Sequence, residues 1–134
     1  MSSRSWTVVI LAPDRWLNSN QRRDRRRDAP TVKTWRDAAN VYARAQKLPR
    51  LGRVAITATL HFPDRRRRDC PNYYPTIKAA IDGLVDADVL DDDADGYVTE
   101  LTIRPGERVG VGVLTDSTVA HRHGALVLTI REVT

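Results

Sequence analysis

Apolar and polar positions alternate without a break over residues 54–62. Val54, Ile56, Ala58, Leu60 and Phe62 fall on one side, and Ala55, Thr57, Thr59 and His61 on the other. A period of two is the mark of a half-buried strand. Residues 6–12 are rich in β-branched side chains and stop at Pro13, which predicts an opening strand. Between the two the spacing turns helical. Trp35, Ala38, Ala39, Tyr42 and Ala45 share a stripe after Thr34-Trp-Arg-Asp37, which has the form of a capping box, and Pro49 lies beyond the end. That pattern predicts a helix of about 13 residues. The polar, Arg-rich stretch 14–29 has no apolar period and predicts a long loop.

The second half repeats the alternation of types. Pro75 suits a first helical position, and Ile77, Ile81, Leu84 and Val85 form an apolar stripe behind it. Lys78, Asp82 and Asp86 follow at i, i+4 and i+8 on a separate polar face. Residues 97–103, 109–114 and 125–130 predict three further strands, with a turn at 104–107 and a looser loop at 116–124. The order β-α-β-α-β-β-β predicts an α/β or α+β fold: a mixed sheet of about five strands with two helices packed on it. No repeat or linker interrupts it, so residues 1–134 read as a single domain.

Composition narrows the chemistry. The one cysteine, Cys70, excludes an internal disulfide framework and a multi-Cys zinc site. No stretch has the form of an export signal or a membrane span, so a soluble intracellular protein is expected. Charge is segregated. Residues 1–68 hold 17 Lys+Arg against 5 Asp+Glu, whereas residues 69–134 hold 5 against 12. The sequence pI is about 9.9, and 19 of the 22 basic residues are Arg. Arginine suits bidentate phosphate contacts, so a polyanionic partner is expected for the first part. Its clusters are Arg22, Arg23, Arg25, Arg26 and Arg27, and then Arg65, Arg66, Arg67 and Arg68. A solvated tail is the plain alternative for the first cluster. No helix-turn-helix, zinc finger or aromatic-interleaved RNA motif is present, which favours recognition of DNA shape over sequence.

The acidic part begins where the arginines end. Asp69 follows the alternating strand, Asp82 lies mid-helix, and Asp91, Asp92 and Asp93 come after that helix. If the strand, helix and loop fold back on themselves, these carboxylates meet at one edge of the sheet. Two carboxylates about 4 Å apart repel by roughly 4 kcal/mol at an effective dielectric of 20, so such a cluster calls for a cation, a proton or water. An all-oxygen set favours Mg²⁺, Mn²⁺ or Ca²⁺ over zinc. Mg²⁺ beside a basic surface suits phosphodiester hydrolysis, with Lys78 stabilising charge at the phosphate. A solvated acidic loop is the simpler reading of the triplet alone. A calcium hand is a further alternative: Asp91-x-Asp93-x-Asp95-Gly96 matches the opening of an EF-hand loop, but Thr102 stands where a bidentate Glu is required. His121 and His123 form a loop pair, and Trp16 is the tryptophan best placed to stack on a base.

Taken together, Phe62-Pro-Asp-Arg-Arg-Arg-Arg-Asp69-x-x-Asn72, then Lys78-Ala-Ala-Ile-Asp82-Gly-Leu, then Ala87-x-Val-Leu-x-Asp92-Asp93 resembles the RusA family of Holliday junction resolvases. Trp16-Leu-Asn18-Ser-Asn20-Gln-Arg22 is similar to that family's Pro-x-Ser-x-Asn stretch, and the closing strand also fits. The resemblance implies a homodimeric, Mg²⁺-dependent endonuclease, with Mn²⁺ as a substitute, that nicks four-way DNA junctions in pairs. By position it implies metal carboxylates at Asp69, Asp92 and Asp93, with Asp82 as a further candidate, and a catalytic Lys78. It implies DNA contacts from Asn18, Asn20, Arg22, Arg23, Arg65, Arg66, Arg67, Arg68 and Asn72. The family occurs in phages and prophages, which implies action in a bacterial cytoplasm. Two departures stand out: Pro71 replaces the second acid of the family's Asp-x-Asp-Asn, and three extra residues separate Asn72 from Lys78. A junction-binding protein that has lost catalysis is therefore the second reading, and a calcium-binding module the third.

Overall fold

The structure, a computed structural model, describes residues 4–20, 24–64, 66–91, 97–106 and 124–133. Along these residues run β1 (Ser5–Leu11), α1 (Arg25–Ala45), β2 (Val54–His61), α2 (Tyr74–Asp86), β3 (Val98–Pro105) and β4 (Ala125–Glu132). The fold is mixed α and β: one sheet of four strands among the described residues, in the order β1-β4-β2-β3. The expected fifth strand, at 109–114, lies outside the described residues.

The alternation over residues 54–62 reappears as burial. Val54, Ile56, Ala58 and Leu60 are enclosed, while Thr57, Thr59 and His61 are half-exposed on the other face. β2 pairs antiparallel with β4, which pairs antiparallel with β1. Its other neighbour, β3, runs parallel to it. Parallel neighbours need a crossover, and α2 supplies it. Both helices cover one face. Trp35, Ala39 and Ala43 of α1 and Ile77, Ala80, Ile81 and Leu84 of α2 join Val8, Ile10, Ile56, Leu60, Leu126 and Leu128 in the core. Each large aliphatic side chain so enclosed contributes about 1.5–3 kcal/mol. The register sets Thr7, Thr129, Thr57 and Thr102 in a row across the opposite face.

α1 starts well before the expected position. Asp24 is its N-cap, with a side chain that accepts from the amides of Arg26 and Arg27, so the helix takes in residues 25–29 of the Arg-rich stretch predicted as loop. Its buried stripe continues toward the amino end through Asp28 and Thr31. Both are polar, which hid the period. They are accommodated because Arg15 donates to Asp28 at 2.8 Å and the Thr31 hydroxyl donates to Asp14 at 3.4 Å. Pro30 lies inside the helix, and Thr34 is an interior residue whose hydroxyl donates to the Pro30 carbonyl. No capping box forms there, since Asp37 pairs with Lys33. Arg104 and Pro105, expected in a turn, extend β3 instead. No helix among the described residues is long and apolar enough to cross a membrane.

Candidate functional site

The chain leaves β2 through Phe62 and the arginine run, then enters a short 3-10 turn at Cys70–Tyr73 that leads directly into α2. Pro71, which stands where the resemblance implies an acid, occupies the first positions of that turn, where its fixed φ suits the bend. Asp69 caps the turn and is exposed, and its carbonyl accepts from the Asn72 amide at 3.0 Å. Here the carboxyl ends of the parallel strands β2 and β3 open into a cavity of about 310 Å³ whose lining includes Leu60, Phe62, Arg66, Arg68, Cys70 and Gly106. The carboxyl ends of parallel strands are the usual place for ligands in sheets of this kind. Burial raises the Cys70 thiol pKa, with a smaller push from Asp69.

The arginines differ in what they are free to do. Arg66 and Arg67 are exposed. The Arg68 side chain is only 11% exposed. It lies over the Phe62 ring, 4.3 Å from the centroid, and donates to Asp64 at 2.8 Å. That bond holds the Asp64 carboxyl below its ordinary pKa. Arg22, Arg23 and Arg65 lie outside the described residues.

A second segment is bonded alongside. Trp16 packs against Trp35, Phe62 and Tyr73 at centroid distances of 4.9, 4.7 and 6.2 Å. It sits in an aromatic cluster beneath the site. The Trp35 indole donates to the Arg15 carbonyl at 2.9 Å. The fully buried Thr76 hydroxyl accepts from the Leu17 amide at 2.7 Å and donates to the Leu17 carbonyl at 2.9 Å. The Ser19 amide donates to the Asn72 carbonyl at 2.7 Å, and the Asn18 side chain accepts from the Asn20 amide at 2.8 Å. Asn18, Asn20, Asn72 and Asp69 are thereby gathered at one end of the sheet. Thr76 was missed by sequence reasoning. Its one signal is a hydroxyl on the inward stripe of an apolar helix.

Further along α2, Lys78 and Asp82 pair with each other at 2.7 Å, as i, i+4 spacing allows. Asp86, the third member of that polar line, instead accepts two bonds from Arg36 of α1, at 2.6 and 2.8 Å. The pair lowers the Asp86 pKa and raises that of Arg36.

Asp69 and Asp91 do not meet at one edge. α2, thirteen residues and so about 20 Å long, carries the chain back along β2. At its far end the Val89 carbonyl accepts from the Leu51 amide, and Asp91 pairs with Arg50, just before β2 begins. A crossover between parallel strands must return the chain to the starting end of the sheet, and this separates the two acidic groups. Asp92 and Asp93 lie outside the described residues, as do His121 and His123. Among the described residues no three His, Cys, Asp or Glu side chains are grouped to hold a metal ion. The calcium-hand alternative lacks its second helix: Thr102 lies within β3.

No protein-family model matches the chain, and no curated protein matches it.

Proposed function

We propose that this protein is a homodimeric, Mg²⁺-dependent, structure-selective endodeoxyribonuclease that resolves four-way junctions and other branched DNA by paired phosphodiester hydrolysis. Its place of action is the bacterial cytoplasm, and a phage origin fits the RusA-like motif order. The observation that carries this reading is the grouping of Asp69, Asn72 and the exposed Arg66 and Arg67 with the bonded 17–20 segment at the carboxyl ends of β2 and β3. Exposed arginines and amide side chains at one rim suit a phosphate backbone.

The described carboxylates of one chain do not fit a Mg²⁺ site by themselves, because Asp69 and Asp91 stand at opposite ends of α2. We propose that two copies complete it, with Asp69 of one chain and the Asp92–Asp93 pair of the other as ligands. A two-fold assembly would then carry two such sites, which matches paired cuts in a junction of near two-fold symmetry. Within the chain, Arg66, Arg67 and Asn72 bind the backbone, and Asp82 orients the Lys78 ammonium through its 2.7 Å contact.

A labelled four-way junction and a matched duplex, each incubated with Mg²⁺ or Ca²⁺, test the reading. Symmetric nicks in the junction with Mg²⁺, abolished by Asp93→Asn, are expected. Pro71 in place of an acid favours a second reading, a junction-binding protein without catalysis, and retention of the junction without cleavage at any metal concentration would select it. Failure to bind either DNA at low salt would contradict both.

A further inference from the structure

We propose that Thr76 is the positioning residue that gives the site its preference for branched over linear DNA. The inference rests on the junction-binding reading above. A threonine hydroxyl offers one donor and two acceptor positions. Here both kinds are spent on one residue of another segment, the amide and the carbonyl of Leu17. Leu17 is itself buried, so its backbone has no water to turn to. One side chain therefore fixes the height of the 17–20 segment against the amino end of α2.

Two further bonds extend that hold. The Ser19 amide is tied to the Asn72 carbonyl, and the Asn18 side chain closes a turn onto the Asn20 amide. Asn18 and Asn20 are thus set at a fixed offset from Asn72 and Asp69. Long arginine side chains can adapt to a straight or a branched backbone. Short asparagines cannot, so their spacing selects the DNA geometry they fit. Backbone contacts of this kind fix register and orientation without reading bases. Thr76 touches no DNA in this account and acts through Leu17.

The test compares wild-type protein with Thr76→Val and Thr76→Ser, titrated in Ca²⁺ against a labelled four-way junction and a duplex of matched length. The readout is the ratio of the two affinities, which a smaller folded fraction leaves unchanged. Thr76→Val, which keeps the shape but loses the hydroxyl, should lower that ratio at least fivefold. Thr76→Ser should bring it to within twofold of wild type. An unchanged ratio in Thr76→Val, or Thr76→Ser no better than Thr76→Val, overturns the proposal while leaving the junction-binding reading intact. Absence of any junction preference in the wild type overturns both. If near-UV circular dichroism shows that Thr76→Val does not fold, Ser19→Pro removes the exposed end of the same hold. It should lower the ratio likewise, and a wild-type ratio there overturns the proposal.

Discussion

The Arg68 guanidinium lies 4.3 Å from the centre of the Phe62 ring and donates to the Asp64 carboxylate at 2.8 Å. It is thereby spent inside the protein, whereas Arg66 and Arg67 face solvent. Arg66, Arg67 and Arg68 look equivalent in sequence, but one is packed and two are exposed, and under the proposed function only the exposed two are phosphate ligands. Each phosphate contact adds about 0.9 to the salt dependence of DNA binding. Arg66→Ala and Arg67→Ala should each lower the slope of log affinity against log salt by about that amount. Arg68→Ala should leave the slope unchanged and cost about 1 kcal/mol of stability through the lost ring contact. Binding titrations across salt, with urea unfolding of each variant, check this.

The Arg36–Asp86 pair joins α1 to α2 through two parallel bonds. It lowers the Asp86 pKa in the folded chain, and unfolding restores the ordinary value. A depressed carboxyl stabilises the fold above its unfolded pKa and loses that effect as pH falls through the folded one. Both side chains are partly exposed, at 46% and 32%, so water screens the pair and about 0.5–1 kcal/mol is expected. Asp86→Asn should lower the unfolding free energy by that amount at pH 7. The difference from wild type should begin to shrink as pH falls below about 4, the ordinary carboxyl value. It should vanish only below the lowered folded value, read by urea denaturation across pH.

Gly83 sets how closely the helices approach. A Cβ there would stand 2.3 Å from the Arg36 carbonyl oxygen and 2.6 Å from the Ala39 Cβ. Alanine improves helix propensity by about 1 kcal/mol, but forced separation of packed helices costs about 1–3 kcal/mol. The nearest contact is backbone and cannot swing aside, so the second effect wins. Gly83→Ala should be net destabilising and Gly83→Val more so, measured as a lowered midpoint of thermal unfolding.

Much of this architecture is legible in the residues. The clean alternation from Val54 to Phe62 and the stripe of Ile77, Ile81 and Leu84 announce β2 and α2, because the inward face of β2 is apolar and that of α2 is apolar except for Thr76. The start of α1 is not legible, since its buried Asp28 and Thr31 take their partners, Arg15 and Asp14, from a segment more than a dozen residues away. The site divides in the same way. Asp69 and Asn72 can be singled out from motif spacing, but the Thr76–Leu17 bonds join residues 59 apart and leave no local trace. The separation of Asp69 from Asp91 follows from β2 and β3 being parallel, and strand direction is a property of the whole sheet.

The proposed sharing of one site between two chains is tested most directly by mixing inactive variants. Asp69→Asn and Asp93→Asn are prepared separately, then combined under conditions that exchange subunits, and assayed on a four-way junction with Mg²⁺. Each variant alone should leave the junction uncut. In a mixed dimer, one site would carry both substitutions and the other neither. With half the dimers mixed and one sound site in each, nicking should return to about a quarter of the wild-type site number, as single rather than paired nicks. A mixture as inactive as its components, while wild type cuts, would contradict a site shared between two chains.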